Sequence, residues 1–107
     1  MQMWQFKENK LSLIKEFNNQ NASESEGCVY DDENRTLFVS EENERGVIRA
    51  YKLDNLLNFL NPTIIDDRNG NITGDPEGLA IYKTSEIDGY LIASSQGNST
   101  FNIYNRN

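Results

Sequence analysis

The chain has 107 residues, a net charge of −7, a single cysteine (Cys28) and no histidine. That length fits one domain with a modest core, and the single cysteine excludes an internal disulfide. The absence of histidine excludes Ser-His-Asp and Cys-His catalysis, histidine phosphatase chemistry and most zinc sites.

Short strand signals separated by turn residues run through the whole sequence. Residues 3–8 (MWQFKE) alternate Trp4 and Phe6, and residues 11–17 (LSLIKEF) follow a short polar turn, which predicts a hairpin. Three further strands are predicted at 27–31 (GCVYD), 36–41 (TLFVSE) and 46–53 (GVIRAYKL), the first two joined by the turn signal Asp31-Asp32-Glu33-Asn34. Asp54 is placed to cap a brief helix through Leu56, Leu57 and Phe59 that ends at Pro62. TIID at 63–66 is short and apolar, and DRNGNITGD at 67–75 reads as a loop. GLAIYK, GYLIASS and TFNIYNR give three last strands.

An internal repeat organises these strands. Glu26-Gly27 opens one block, and Glu77-Gly78 opens another 51 residues further on. Each block reads Glu-Gly, apolar strand, polar turn, a second strand reaching a serine, a polar loop, then a strand ending in tyrosine. Ser40 matches Ser94, Glu42 matches Gln96, and Tyr51 matches Tyr104. A period near fifty residues made of short strands is the signature of β-propeller blades; solenoid repeats of similar length are helical. The predicted fold is therefore all-β, with antiparallel four-stranded blades of a propeller present in part, about two blades. Residues 1–25 read as the tail of a preceding blade, 26–72 as one blade with a long connection, and 73–107 as the next.

Carboxylates dominate the available chemistry and suit hard cations. Glu26 and Glu77 open matched strands and project near one rim. Glu42 and Gln96 end the next strand of each block, and Asp75, two residues before Glu77, shares its side of an extended segment. Like charges gathered this way are unfavourable without a cation. Glu26, Glu42, Asp75, Glu77 and Gln96 thus form a candidate calcium site, against the plainer reading of each as a solvated surface charge. An EF-hand is excluded: Asp67, Asn69 and Asn71 are suitably spaced, but Ile72 stands where the loop needs glycine and the final glutamate is missing. Cys28 reads as a buried structural thiol. Trp4, Phe6, Phe38, Tyr51, Tyr82, Phe101 and Tyr104 read as blade packing, and Arg45, Arg49, Lys52 and Lys83 as surface charges. The Asn-x-Ser/Thr triplets at Asn21, Asn34, Asn71 and Asn98 read as chance in so polar a sequence.

The acidic balance argues against nucleic acid as a partner, although a bound cation would admit a phosphorylated one. No apolar run approaches a membrane span of about 20 residues. The N-terminal stretch lacks the apolar centre of a signal peptide.

Two stretches, EGCVYDDENRTLFVSEEN and GDPEGLAIY followed by GYLIASSQGNSTFNIYNR, resemble the calcium-dependent β-propeller phytase family in order and spacing. The resemblance implies a six-bladed propeller and hydrolysis of phosphate from phytate, inositol hexakisphosphate, by a calcium-bound water. It implies that Glu26, Glu42 and Glu77 act through calcium at the catalytic site, with Asp75 and Gln96 as further ligands, and that the compartment is secreted or periplasmic. Tyr30 departs from the family's small residue. The family's Asp-Asp-Pro-Ala-Ile-Trp and Asn-Asn-Val-Asp segments and its phosphate-holding basic residues are absent from this sequence. Those absences imply that the 107 residues are inactive alone and prone to self-association through exposed blade faces, and they keep open a non-catalytic module that binds calcium or an anionic ligand.

Overall fold

A computed structural model of the protein describes residues 1–19, 24–42 and 44–107. Among them there are strands and turns and no helix. The strands are β1 (Gln2–Lys7), β2 (Lys10–Glu16), β3 (Ser25–Asp31), β4 (Thr36–Glu41), β5 (Val47–Lys52), β6 (Thr63–Asp66), β7 (Asp75–Lys83), β8 (Gly89–Gln96) and β9 (Thr100–Asn105). They form three antiparallel sheets ordered β1-β2, β3-β4-β5-β6 and β7-β8-β9. The chain is a partial β-propeller.

Local chemistry accounts for the turns. Glu8 and Asn9 take φ of 53° and 58° between Lys7 and its partner Lys10. Two positive-φ residues in a two-residue loop give the turn whose twist matches the flanking strands. Between β3 and β4 the Asp31 carboxylate accepts hydrogen bonds from the Asn34 amide N–H (3.2 Å) and side chain (3.0 Å). The helix expected after Asp54 does not form. Asp54 Oδ1 accepts the N–H groups of Leu56 (2.8 Å) and Asn58 (2.9 Å), which closes a turn instead. Leu57 sits at φ 62°, outside the helical region, and Leu53 bridges Phe59.

Every residue of β4 is buried, so its alternation feeds both faces of the β3–β6 sheet. Phe38, with Ile48 and Ala50 of β5, packs against Leu91 and Ala93 on the near face of β7–β9 and against Ile72 of the loop before β7. Leu37, Val39 and Tyr51 face the other way, toward Phe17 and Phe59. The Phe17 and Phe59 rings lie 4.4 Å apart, and Tyr51 Oη donates to Asn19 Oδ1 at 2.5 Å. Blade-like sheets are thus stacked face to face, with the apolar core between them.

The two stacked sheets are also clasped by charge. Arg106, just past β9, donates from Nε and Nη2 to the two Asp31 oxygens, each at 2.6 Å, with both side chains fully buried. Its Nη1 donates to the carbonyls of Ser85, Glu86 and Asp88, and Nη2 also reaches Glu33 at 2.8 Å.

Three expectations about single residues are corrected. Cys28 is exposed rather than buried, because β3 turns it toward an open cleft also lined by Trp4, Phe6 and Tyr30. Arg49 is buried rather than on the surface, paired with the buried Glu41. Of the aromatics, Phe38 and Tyr51 are buried and Tyr104 packs against the core, but Trp4, Phe6, Tyr82 and Phe101 are exposed. The reason for Phe101 is positional. Its repeat partner Ile48 is covered by β7–β9, whereas no sheet among the described residues covers the far face of β7–β9. The triplet at Asn21 lies outside the described residues, while the Asn98 side chain donates to Thr73.

Candidate metal centre

Both Glu-Gly pairs sit in register breaks of matched strands. β3 slips against β4 between Ser25 and Cys28, around Glu26-Gly27. β7 slips against β8 between Pro76 and Leu79, around Glu77-Gly78. A bulge leaves ladder groups unpaired and re-aims side chains. In each case a serine of the neighbouring strand satisfies the freed glycine. Gly27 N–H donates to Ser40 Oγ at 2.8 Å, and Gly78 N–H donates to Ser94 Oγ at 2.9 Å. The repeat seen in the sequence is therefore a repeated structural device that turns a glutamate out at the same rim.

At that rim Glu26, Glu42 and Glu77 each offer a carboxylate oxygen, and the three oxygens lie within 4.8 Å of one another. Glu26 is exposed, while Glu42 and Glu77 are half-buried. Glu42 follows β4 and is held by its N–H, which donates to the Glu24 carbonyl at 3.0 Å. Burial pushes the Glu42 carboxyl above its ordinary value, and the negative charges of Asp75, Glu26, Glu77 and Glu24 push it further the same way.

The other two candidates stand differently. Asp75 is close enough to repel Glu42, but it stands beside the three-glutamate group, and its Oδ1 accepts a hydrogen bond from Arg68 Nη2 at 2.5 Å. Gln96 is exposed and is the register partner of Asp75. Sequence reasoning missed Arg68, whose Nη1 also donates to the Gly74 carbonyl at 2.8 Å. It sits in a stretch read as a plain loop, with no repeat partner to draw notice.

The donor set fits a hard cation. Ligands about 2.4 Å from one calcium ion can be at most about 4.8 Å apart, on opposite sides of it. Three carboxylates with that spread can share an ion, and all three donors are oxygen. Their mutual repulsion is the term a dication would cancel.

A family model described as Phytase matches residues 9–107. The chain is 36% identical over 84 residues to the 3-phytase of Bacillus subtilis (strain 168). That match takes in 78% of this chain and 22% of the relative, so the chain spans less than a quarter of that protein's length. No solved structure matches the chain.

Proposed function

We propose, for a chain that belongs to the phytase family, that the three-glutamate cluster holds calcium and forms part of a site that releases phosphate from phytate. The observation that carries the reading is the meeting of Glu26, Glu42 and Glu77 from separate elements within 4.8 Å. Bound there, calcium would engage substrate phosphate oxygens, provide a water for attack at phosphorus and neutralise the charge that develops.

The protein's own groups have separable tasks. Glu26, at the exposed edge, faces the side from which a phosphorylated ligand arrives. Glu42 and Glu77, half-buried, fix the floor of the cluster. Arg68 offsets the charge of Asp75 and so limits the negative field beside the three glutamates. Asp75 and Gln96 supply further oxygens at the same rim, within reach of a larger coordination shell or of bridging waters. Because the chain spans 22% of its relative, it contributes part of the site and turns over no phytate alone.

Calorimetric titration of the chain with calcium and with magnesium, followed by phytate, tests the proposal. Calcium binds in preference to magnesium, and phytate binds only to the calcium-loaded chain. Equal binding of the two ions at millimolar strength or weaker refutes a shaped calcium site.

A further inference from the structure

The three glutamates come from different parts of the fold: Glu26 in β3, Glu42 beyond β4 and Glu77 in β7 of the neighbouring sheet. Two stacked sheets could slide by an ångström without exposing much core, so something must set the gap between Glu26 and Glu77. One buried atom joins them. Ser40 is fully buried, and its Oγ accepts the Gly27 N–H at 2.8 Å. The same oxygen lies 2.5 Å from the Glu77 carbonyl and 3.3 Å from the Gly27 carbonyl. A hydroxyl has a single proton to give. The shorter contact takes it, so Ser40 donates to Glu77.

That atom therefore ties the residue after Glu26 to the backbone of Glu77, across the junction of two sheets. Its own strand leads on to Glu42 two residues later. Gly27 makes the approach possible: a Cβ there would stand 2.0 Å from the Glu77 carbonyl oxygen and 2.9 Å from Ser40 Oγ. Ser94 provides the comparison within the same molecule. It accepts the Gly78 N–H at 2.9 Å and lies 3.4 Å from the Gly78 carbonyl, both within its own sheet.

We infer that Ser40 is a positioning residue for cation binding: its hydroxyl, seated in the β3 bulge and bonded to the Glu77 carbonyl, sets the separation of Glu26 and Glu77. The inference rests on the reading of the three glutamates as calcium ligands. Groups behind the ligands of a metal site commonly change affinity by about 10–100-fold when removed.

The test uses the whole chain with calcium, and with terbium as a luminescent stand-in. The ratio of luminescence lifetimes in H2O and D2O counts waters on the ion. Ser40→Ala weakens calcium binding by about 10-fold or more and adds at least about one water to bound terbium as a carboxylate drops away. Ser94→Ala, which loosens the Glu77-Gly78 bulge within its own sheet without touching the junction, weakens calcium binding by a smaller factor than Ser40→Ala and adds no water to bound terbium. Gly27→Ala keeps the hydroxyl but forces the two backbones apart, and it reproduces the Ser40→Ala result. Unchanged affinity and hydration in folded Ser40→Ala overturns the inference while leaving the calcium reading intact. Equal losses in Ser40→Ala and Ser94→Ala also overturn it, by making the effect one of general stability. Unfolding of both Ser40→Ala and Gly27→Ala assigns the serine a purely structural role and overturns it too. If the unsubstituted chain binds neither ion, the calcium reading itself falls and takes the inference with it.

Discussion

Replacing Asp31 with asparagine should strongly destabilise this chain. The Asp31 and Arg106 side chains are both fully enclosed, and two hydrogen bonds of 2.6 Å join them. Asparagine preserves the shape but removes the buried charge that balances the guanidinium, leaving it only the more exposed Glu33. Breaking a buried pair by removing one partner costs about 3–5 kcal/mol, because the other charge stays desolvated. Small domains have only about 5–15 kcal/mol of total stability. At about 4 °C per kcal/mol for a domain of this size, the expected fall in melting temperature is about 12–20 °C.

The same pair predicts a pH dependence with a definite sign. Burial alone would push the Asp31 carboxyl up, but hydrogen bonds from Arg106 and Asn34 outweigh it and hold the group at about 2. An acid whose folded value lies below its unfolded value of about 3.9 contributes stability above the unfolded value. That contribution, about 2 kcal/mol here, is lost as pH falls from about 4 through about 2. Thermal melts followed by circular dichroism at pH 7, and at steps from pH 5 to 2, measure both effects. The two melting curves should converge as pH falls, because the variant has no carboxylate to protonate at position 31. A fall of less than about 3 °C at pH 7 (under about 1 kcal/mol), or parallel pH profiles for the two proteins, would refute the assignment of the clasp.

Glu42→Gln should raise the melting temperature of the metal-free chain at pH 7, because it removes a carboxylate held in a repulsive field, and it should weaken calcium binding; melts in chelator and calorimetry with calcium read the two effects. Self-association should proceed through the far face of β7–β9, where Phe101 and Ile103 are 69% and 63% exposed; light scattering should show Phe101→Ser with Ile103→Thr shifted toward monomer, and an unchanged mass would place the contact elsewhere. The exposed Cys28 thiol should react stoichiometrically with a disulfide reagent in the native chain, at a rate that denaturant raises little.

Periodicity made most of the fold legible. β4 lies where the residues placed it, and the other predicted strands differ only at their ends, because alternating apolar residues and turn formers are local signals; β6 forms at 63–66, a stretch that reads only as short and apolar. The false helix at Asp54 shows where local signals fail. An aspartate before an apolar run caps a helix or closes a turn with the same hydrogen bonds, and the bridge from Leu53 to Phe59 decides between them from outside the local window. Cys28 and Arg49 were misread for a related reason. Their burial depends on which sheet faces which, and Arg49 is tolerated inside because Glu41, diagonal to it across the β4–β5 ladder, carries the compensating charge. The rim was legible because the Glu-Gly repeat reports a bulge, a backbone feature with its own residue preference. Arg68 and the second bond of Ser40 were not: Arg68 meets Asp75 across a loop with no period to mark the pair, and the partner of Ser40 lies in another sheet.

The strand β3 shows how the molecule separates stability from the cluster. Glu26 and Asp31 lie five residues apart on it, about 17 Å along an extended chain. At the Asp31 end a buried guanidinium and its carbonyl partners cancel the charge, and that end fastens one sheet to the next. At the Glu26 end three carboxylates meet, and the nearby cation, Arg68, is taken up by Asp75. A fold selected for stability alone would gain by neutralising both ends, since each like-charge contact at the rim works against it. The uneven treatment is what a cation site requires. The clasp supplies rigidity at a distance, so the rim can stay acidic, as the proposed calcium site needs.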